Sequence, residues 1–156
     1  MAESDLSDYE VVQTALTEIG IIHQLVETEL RLALAPQLSV SEFGVLNHFI
    51  RRGQKEEPAR LARAFQQAKS SMSATLNKLH RKGFITLTAS SEDGRKKLAM
   101  ITEEGRKAWA NGIAATLPLG NPLIEAFGTE RLREALPTLQ ALRMFLDEAR
   151  NERDGF

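Results

Sequence analysis

The chain has 156 residues, a formal net charge of −1 and no cysteine. Its length suits one compact domain with an appendage, and the lack of cysteine excludes disulfides, thiol-based redox sensing and cysteine-ligated zinc. No apolar run approaches the ~20 residues of a membrane span, and MAESDLSDYE lacks the regions of a secretory signal. We therefore expect a cytoplasmic protein with no membrane partner.

The first predicted element is a long helix over residues 8–35. Apolar side chains recur along it at spacings of three and four, and Pro36 ends it. Residues 39–42 follow as a capping box, with serine at the N-cap and glutamate three positions later. This box predicts the start of a second helix, which Gly53 ends.

Residues 58–105 have the element order of a winged helix-turn-helix. Gly83 suits the end of the second helix of this segment, and Asp93-Gly94 is a tight-turn dipeptide between two β-branched stretches. The predicted elements, in order, are a helix over 58–65, a turn over 66–69, a helix over 70–82 and a hairpin of strands 84–89 and 97–102. We therefore predict a fold that is mainly α with a small β-hairpin wing.

The helix over residues 70–82 has two chemically different faces. Met72, Leu76 and Leu79 form an apolar core stripe. The opposite face carries small, hydrogen-bonding and basic side chains centred on Ser70, Ala74, Asn77 and Arg81. Such a face fits the major groove, where base edges present a distinctive pattern of donors and acceptors.

Charge supports the same segment as a polyanion-binding surface. Residues 51–97 hold 12 Lys or Arg and 4 Asp or Glu, whereas the remainder holds 8 basic and 17 acidic residues. We expect an arginine at the hairpin tip, Arg95, to enter the minor groove, and Asp93 to organise that tip. The residues predicted to bind DNA are Lys69, Ser70, Ser71, Ser73, Asn77, Lys78, Arg81, Arg95, Lys96 and Lys97.

The terminal helices are predicted to form a homodimer. Thr102 suits the cap of a helix that runs to about Thr116, and a proline- and glycine-containing segment over 118–122 interrupts it. Thr129 suits the cap of a last helix with a leucine stripe, in which Pro137 predicts a kink or a break. One chain has little against which to bury these helices, so a second copy is the favoured partner, and packing of the two helices on each other is the alternative.

The chain resembles the MarR family of bacterial winged-helix regulators. The stretch LARAFQQAKSSMSATLNKLHRKGFI is similar to the family's helix, turn and recognition helix, and SSEDGRKKLAMITEEG to its wing and the following helix start. The resemblance implies a homodimer that binds palindromic double-stranded DNA, often as a repressor released by a small ligand. The chain departs from the family pattern at Ala74, at Gly94 and over 118–122.

We expect three domains: an N-terminal dimerisation helix over 1–37, a DNA-binding domain over 38–102 and C-terminal dimerisation helices over 103–156. A ligand cleft is hypothesised between residues 19–26 and 43–49, with His23 or His48 supplying a polar group. Dense core packing would explain the same residues. His23 and His48 are expected to be partly buried and His80 exposed.

Two other classes of function compete with DNA binding. An enzyme is disfavoured because the three histidines lie on separate predicted helices and no catalytic or nucleotide-binding motif occurs. We expect no catalytic residues, no cofactor and no metal. The second alternative is a winged helix that binds proteins without DNA sequence specificity, which would place an apolar or acidic patch on the face that here carries serine, asparagine and arginine.

Overall fold

The computed structural model describes residues 7–89 and 96–153, which divide into one compact unit ending at Thr116 and another beginning at Leu117. The elements of the first unit are α1 (Asp8–Leu34), α2 (Val40–Arg52), α3 (Pro58–Ala64), α4 (Lys69–Arg81), β1 (Ile85–Ala89), β2 (Lys97–Ile101) and α5 (Glu103–Thr116). The second unit holds a 3₁₀ helix (Leu117–Gly120) and α6 (Asn121–Arg153). None of these helices, over the described ranges, is long and apolar enough to cross a membrane.

The predicted boundaries of α2 are confirmed by its capping contacts. The Ser39 backbone N–H donates to the Glu42 carboxylate at 2.7 Å, and the Glu42 N–H donates to the Ser39 hydroxyl at 3.2 Å. Gly53 ends the helix with φ of 66°, a left-handed conformation that glycine adopts without a Cβ penalty. The capping box therefore fixes where α2 begins.

Helices α3 and α4 and the hairpin form the predicted winged helix-turn-helix. Pro58 occupies the first turn of α3, where its missing N–H costs nothing. Strands β1 and β2 are antiparallel, with Ile85 opposite Ile101 and Ala89 opposite Lys97. The wing is this hairpin, and its tip, residues 90–95, lies outside the described residues. The elements start and end within one residue of the predicted positions.

The core of the first unit lies where α2, α3, α4 and the base of the wing meet. Met72, Leu76 and Leu79 are at most 1% exposed, which confirms the predicted core stripe of α4. The other buried apolar side chains are Leu34, Leu38, Val45, Leu46, Phe49, Leu61, Ala62, Ile85, Ala99 and Ile101. Because α4 is held by this stripe, its opposite face is left to solvent.

Helix α6 corrects one prediction. Pro137 does not break it: the non-helical backbone lies at Gly128, with φ of 72° and ψ of 159°, directly before the predicted cap Thr129. Glycine tolerates this positive φ, whereas Pro137 only removes one N–H. Without an N–H at Pro137, the Arg133 carbonyl lacks its helical hydrogen-bond donor. Because Arg133 is exposed, water can donate to this carbonyl instead.

Candidate nucleic-acid interface

The face of α4 opposite its core stripe is exposed along the whole helix. The exposed residues are Lys69, Ser70, Ser71, Ser73, Ala74, Asn77, Lys78 and Arg81. This places every predicted DNA-binding residue of α4 on the solvent side. One face of α4 thus presents hydroxyls, an amide and three cations, and an α-helix fits a major groove.

The N-terminal end of α4 lacks a side-chain cap. Its N-cap residue is Ala68, which offers no acceptor, and no acidic residue lies in the first turn. The first N–H groups of the helix and its positive dipole end therefore remain available to an anion. Lys69 at this end adds a full positive charge, so the end favours a phosphate.

The cations of this region differ in how they are paired. Within residues 7–89 and 96–153, no carboxylate pairs with Lys69, Lys78 or Arg81, whereas Lys96 Nζ lies 3.4 Å from Glu57 Oε1. Lys97 is exposed at the start of β2. The predicted groove-entering Arg95 and its organiser Asp93 lie outside the described residues. The α4 cations are thus exposed and without a carboxylate partner in the described part of the chain.

Lys82, the C-cap residue of α4, makes a different set of contacts. Its Nζ donates to the carbonyl of Gln37 at 2.9 Å and lies 2.8 Å and 2.9 Å from the two carboxylate oxygens of Glu42. Glu42 is 3% exposed. Burial acts to raise the pKa of Glu42, but the bonds from Lys82 and Ser39 and the Lys82 charge outweigh it, so the pKa is lowered. We call these three residues, Lys82, Gln37 and Glu42, the Lys82 bridge.

Helix α5 holds the other side of the same helix end. The Thr102 hydroxyl donates to the Gly83 carbonyl at 2.7 Å, and the Thr102 N–H donates to the Phe84 carbonyl at 3.0 Å. Gly105 packs so closely that a Cβ there would lie 2.0 Å from the Phe84 carbonyl oxygen. The C-terminal end of α4 is therefore fixed between α2 and α5.

A buried carboxylate fixes the base of the wing. Glu56 is 3% exposed, pairs its backbone with Ala99 of β2 and accepts a hydrogen bond from Gln54 Nε2 at 3.1 Å. The guanidinium groups of Arg52 and Arg60 lie 3.8 Å and 3.7 Å from it. These contacts join α2, α3 and β2, so the wing keeps a defined position relative to α4.

One pocket of about 330 Å³ lies between the C-terminal end of α1, the segment that follows it, and α5. Its lining is mostly apolar, with a few polar groups, which are Gln37, Glu104, Lys107 and Asn111. Trp109, the single tryptophan of the chain, follows the lining residue Ala108 and donates to Asn47 at 3.2 Å. Such a cavity suits a small amphipathic molecule.

Neither histidine of the hypothesised cleft lines this pocket. His48 is 21% exposed, as expected, and its Nε2 lies 3.6 Å from Glu56 Oε1, too far for a hydrogen bond. The predicted partial burial of His23 is wrong, because its side chain is 76% exposed and 3.7 Å from Glu27. Along α1, burial by this unit begins only near Leu30. His80 is exposed, as expected.

Sequence reasoning missed the groups that anchor the end of α4. Glu42 was identified as a capping residue but not as the buried partner of Lys82, which lies 40 residues away in sequence. The sequence signal for this ion pair was weak. It consisted of a lysine directly before the helix-ending glycine and of the general rule that a buried carboxylate needs a cation. From the sequence, Gly105 is only the last residue of the stretch that resembles the family's wing and following helix start, and its close packing is not indicated.

A family comparison agrees with this geometry. The model of the MarR family matches residues 37–96, which span α2, α3, α4 and the wing as far as the start of β2. No curated protein matches the chain.

Solved structures share the fold at low sequence identity. The regulator BldR from Sulfolobus solfataricus is 22% identical, with a TM-score of 0.71, 87% of this chain covered and 99% of that one. The repressor CouR bound to a 23-mer DNA duplex is 21% identical, with a TM-score of 0.73 and coverages of 90% and 99%. CouR from Rhodococcus jostii bound to p-coumaroyl-CoA is 21% identical, with a TM-score of 0.66 and coverages of 88% and 95%.

The family match covers the segment that presents the exposed face of α4, and the likeness to solved structures extends over most of the chain. Residues 37–96 match the model of the MarR family, and over most of its length the chain has the fold of solved transcriptional regulators, among them a MarR family regulator from Rhodococcus.

Proposed function

We propose that the protein is a sequence-specific regulator that binds duplex DNA as a homodimer through α4 and the wing. The observation that carries this proposal is the exposed face of α4, which combines serines, Asn77 and cations that no carboxylate of the described ranges pairs with. The apolar stripe on the other side of the helix holds this face in place. CouR, a structural neighbour, is bound to DNA. Lys69, Lys78 and Arg81 would position the protein on phosphates, and Asn77 and the serines would contact base edges.

A second copy of the chain is the proposed partner of the terminal helices. Helix α1 alone leaves ten large apolar side chains at least 37% exposed, from Tyr9 to Leu32. Helix α6 leaves others exposed, including Leu136 and Phe145. Apolar surface of this extent marks an interaction site in a monomeric protein. A two-fold dimer would cover it and present two α4 helices to a palindromic operator, about one helical turn apart.

We further propose that a small amphipathic molecule binding the pocket beside α5 controls the affinity for DNA. Two structural neighbours are bound to organic ligands, p-coumaroyl-CoA and 2,4-dichlorophenol. The pocket adjoins the end of α4 through Phe84, so an occupant would contact the element that meets DNA. Release of a repressor is the expected consequence.

The competing function is a winged helix that binds another protein. It would favour an apolar or acidic patch on α4, whereas the exposed face carries one alanine and no carboxylate. The two functions differ in salt dependence, because neutralised phosphates release counterions and a neutral protein contact does not.

The test is the affinity for duplex DNA at several salt concentrations, with Lys78→Ala and the control variant Arg106→Ala, which removes an exposed cation from α5 outside the pocket lining. We expect Lys78→Ala to weaken binding to all sequences alike and to reduce the slope of log K against log salt by about one. Arg106→Ala should leave the slope unchanged. A salt-independent affinity, or equal effects of the two variants, would contradict the proposal.

A further inference from the structure

The Lys82 bridge connects the pocket to the DNA-facing helix through very few bonds. Gln37 lines the pocket, and its carbonyl accepts a hydrogen bond from the C-cap residue of α4 at 2.9 Å. Phe84, two residues beyond Lys82, lines the same pocket. The end of α4 and the wall of the pocket are therefore adjacent parts of one structure.

The two contacts that hold the C-terminal end of α4, one with α5 and one through Lys82, differ in how far they can move. On the α5 side, Gly105 leaves no room against the Phe84 carbonyl, so a shift of the backbone there meets a steric barrier. On the α2 side, the contact is made by the flexible side chain of Lys82, which is 36% exposed. A displacement of the pocket wall would thus move the C-terminal end of α4 through the Lys82 contact. That end would turn about Phe84, where the close contact with Gly105 holds the backbone.

Breaking the bridge would be costly, because it would leave a buried carboxylate short of its cation. Glu42 remains fixed at the start of α2 by its bond with the Ser39 N–H. Removing one partner of a buried ion pair costs more than the pair contributes. A molecule that pushes Gln37 aside should therefore pull the end of α4 with it.

We propose that Lys82 is a positioning residue that transmits occupancy of the pocket to α4. This inference rests on the proposed function, since it specifies how the DNA-binding helix would be regulated. It assigns no DNA contact to Lys82, whose ammonium group is held by Gln37 and Glu42. Lys82 therefore differs from Lys78, which no carboxylate pairs with in the described part of the chain.

The test fills the pocket by mutation, so it needs no identified ligand. Ala108→Phe places an aromatic ring at the pocket lining, and Ala115→Phe does so from another lining position if the first variant does not fold. Ala110→Phe adds the same ring to α5 at an exposed position outside the lining. Each is combined with Lys82→Met, which keeps the aliphatic stem and removes the ammonium.

DNA affinity and amide hydrogen exchange at residues 79–84 are both measured. We expect the pocket-filling variant to weaken DNA binding about fivefold or more and to speed exchange at 79–84 when Lys82 is present. With Lys82→Met, filling should change each quantity less than about twofold. Ala110→Phe should change neither.

Equal effects of filling with and without Lys82 would overturn the inference, as would no effect in either background. If the parent chain binds no DNA, the proposed function fails, and the exchange data still decide whether Lys82 connects the pocket to α4. A purely structural role of Lys82 would lower stability without removing the dependence of exchange on pocket filling.

Discussion

At the scale of single residues, Glu42 makes stability depend on pH. Its pKa is lowered from the ordinary value of 4.5 in the folded chain. A lowered folded-state pKa contributes stability that is present above the unfolded pKa and is lost as pH falls through the folded value. Glu42→Gln keeps a capping acceptor for Ser39 but removes the charge that holds Lys82.

We expect Glu42→Gln to lower the free energy of unfolding by about 1–2 kcal/mol near neutral pH, allowing for the partial exposure of Lys82. The difference from the parent should shrink as pH falls below 4.5 and through the lowered folded-state pKa of Glu42, because the parent then loses the same charge. Urea unfolding at a series of pH values measures this. Glu18→Gln, on the exposed surface of α1, is the control and should show a small difference throughout. A difference that persists in acid would show that the ion pair is not its source.

Two glycines differ sharply in the space around them. A Cβ on Gly105 would lie 2.0 Å from the Phe84 carbonyl oxygen, whereas one on Gly20 would meet nothing within 4 Å. Gly105→Ala should therefore force α5 away from the end of α4 and destabilise the fold by about 3 kcal/mol or more. Gly20→Ala lies within α1 and should stabilise it by about 0.5–1 kcal/mol. Thermal unfolding of both variants checks the contrast; a well-folded Gly105→Ala protein would contradict the packing.

At the scale of elements, α1 is predicted to be the dimer-forming helix. Leu25 is 64% exposed on the single chain, and a charged side chain would be costly to bury against a second copy. Leu25→Glu should shift the protein to monomers and lower DNA affinity at least about tenfold, since one half-site contact is lost. Gln24→Glu, the neighbouring exposed position, is the control and should leave both properties unchanged. Sedimentation with DNA titration measures them; a dimeric Leu25→Glu protein would place the interface elsewhere.

The sequence predicted elements well where local chemistry decides them. The capping box of α2, Pro58 and Gly83 each mark a boundary that the structure has within one residue. The break in α6 was assigned to Pro137 because proline costs a hydrogen bond, but Gly128 has the positive φ. Local patterns did not reveal the Lys82 bridge or the pocket, because both depend on segments brought together by tertiary packing. The burial of His23 was mispredicted for the same reason.

At the scale of the whole molecule, the basic segment and the exposed apolar surfaces both serve the proposed binding of DNA by a dimer. The net charge of −1 hides a basic region that carries α4 and the wing. The apolar residues of α1 and α6 would bring two such regions together. DNA recognition is therefore expected to fail when either surface is lost, whereas dimer formation is expected to depend on the apolar surface alone.

The most direct test is selection of bound fragments from random duplex DNA by the full chain at low ionic strength, with the mass of the selected complex measured. We expect a two-fold symmetric consensus with half-sites about one helical turn apart, bound by two chains per duplex. A chain that remains monomeric and enriches no sequence would contradict it.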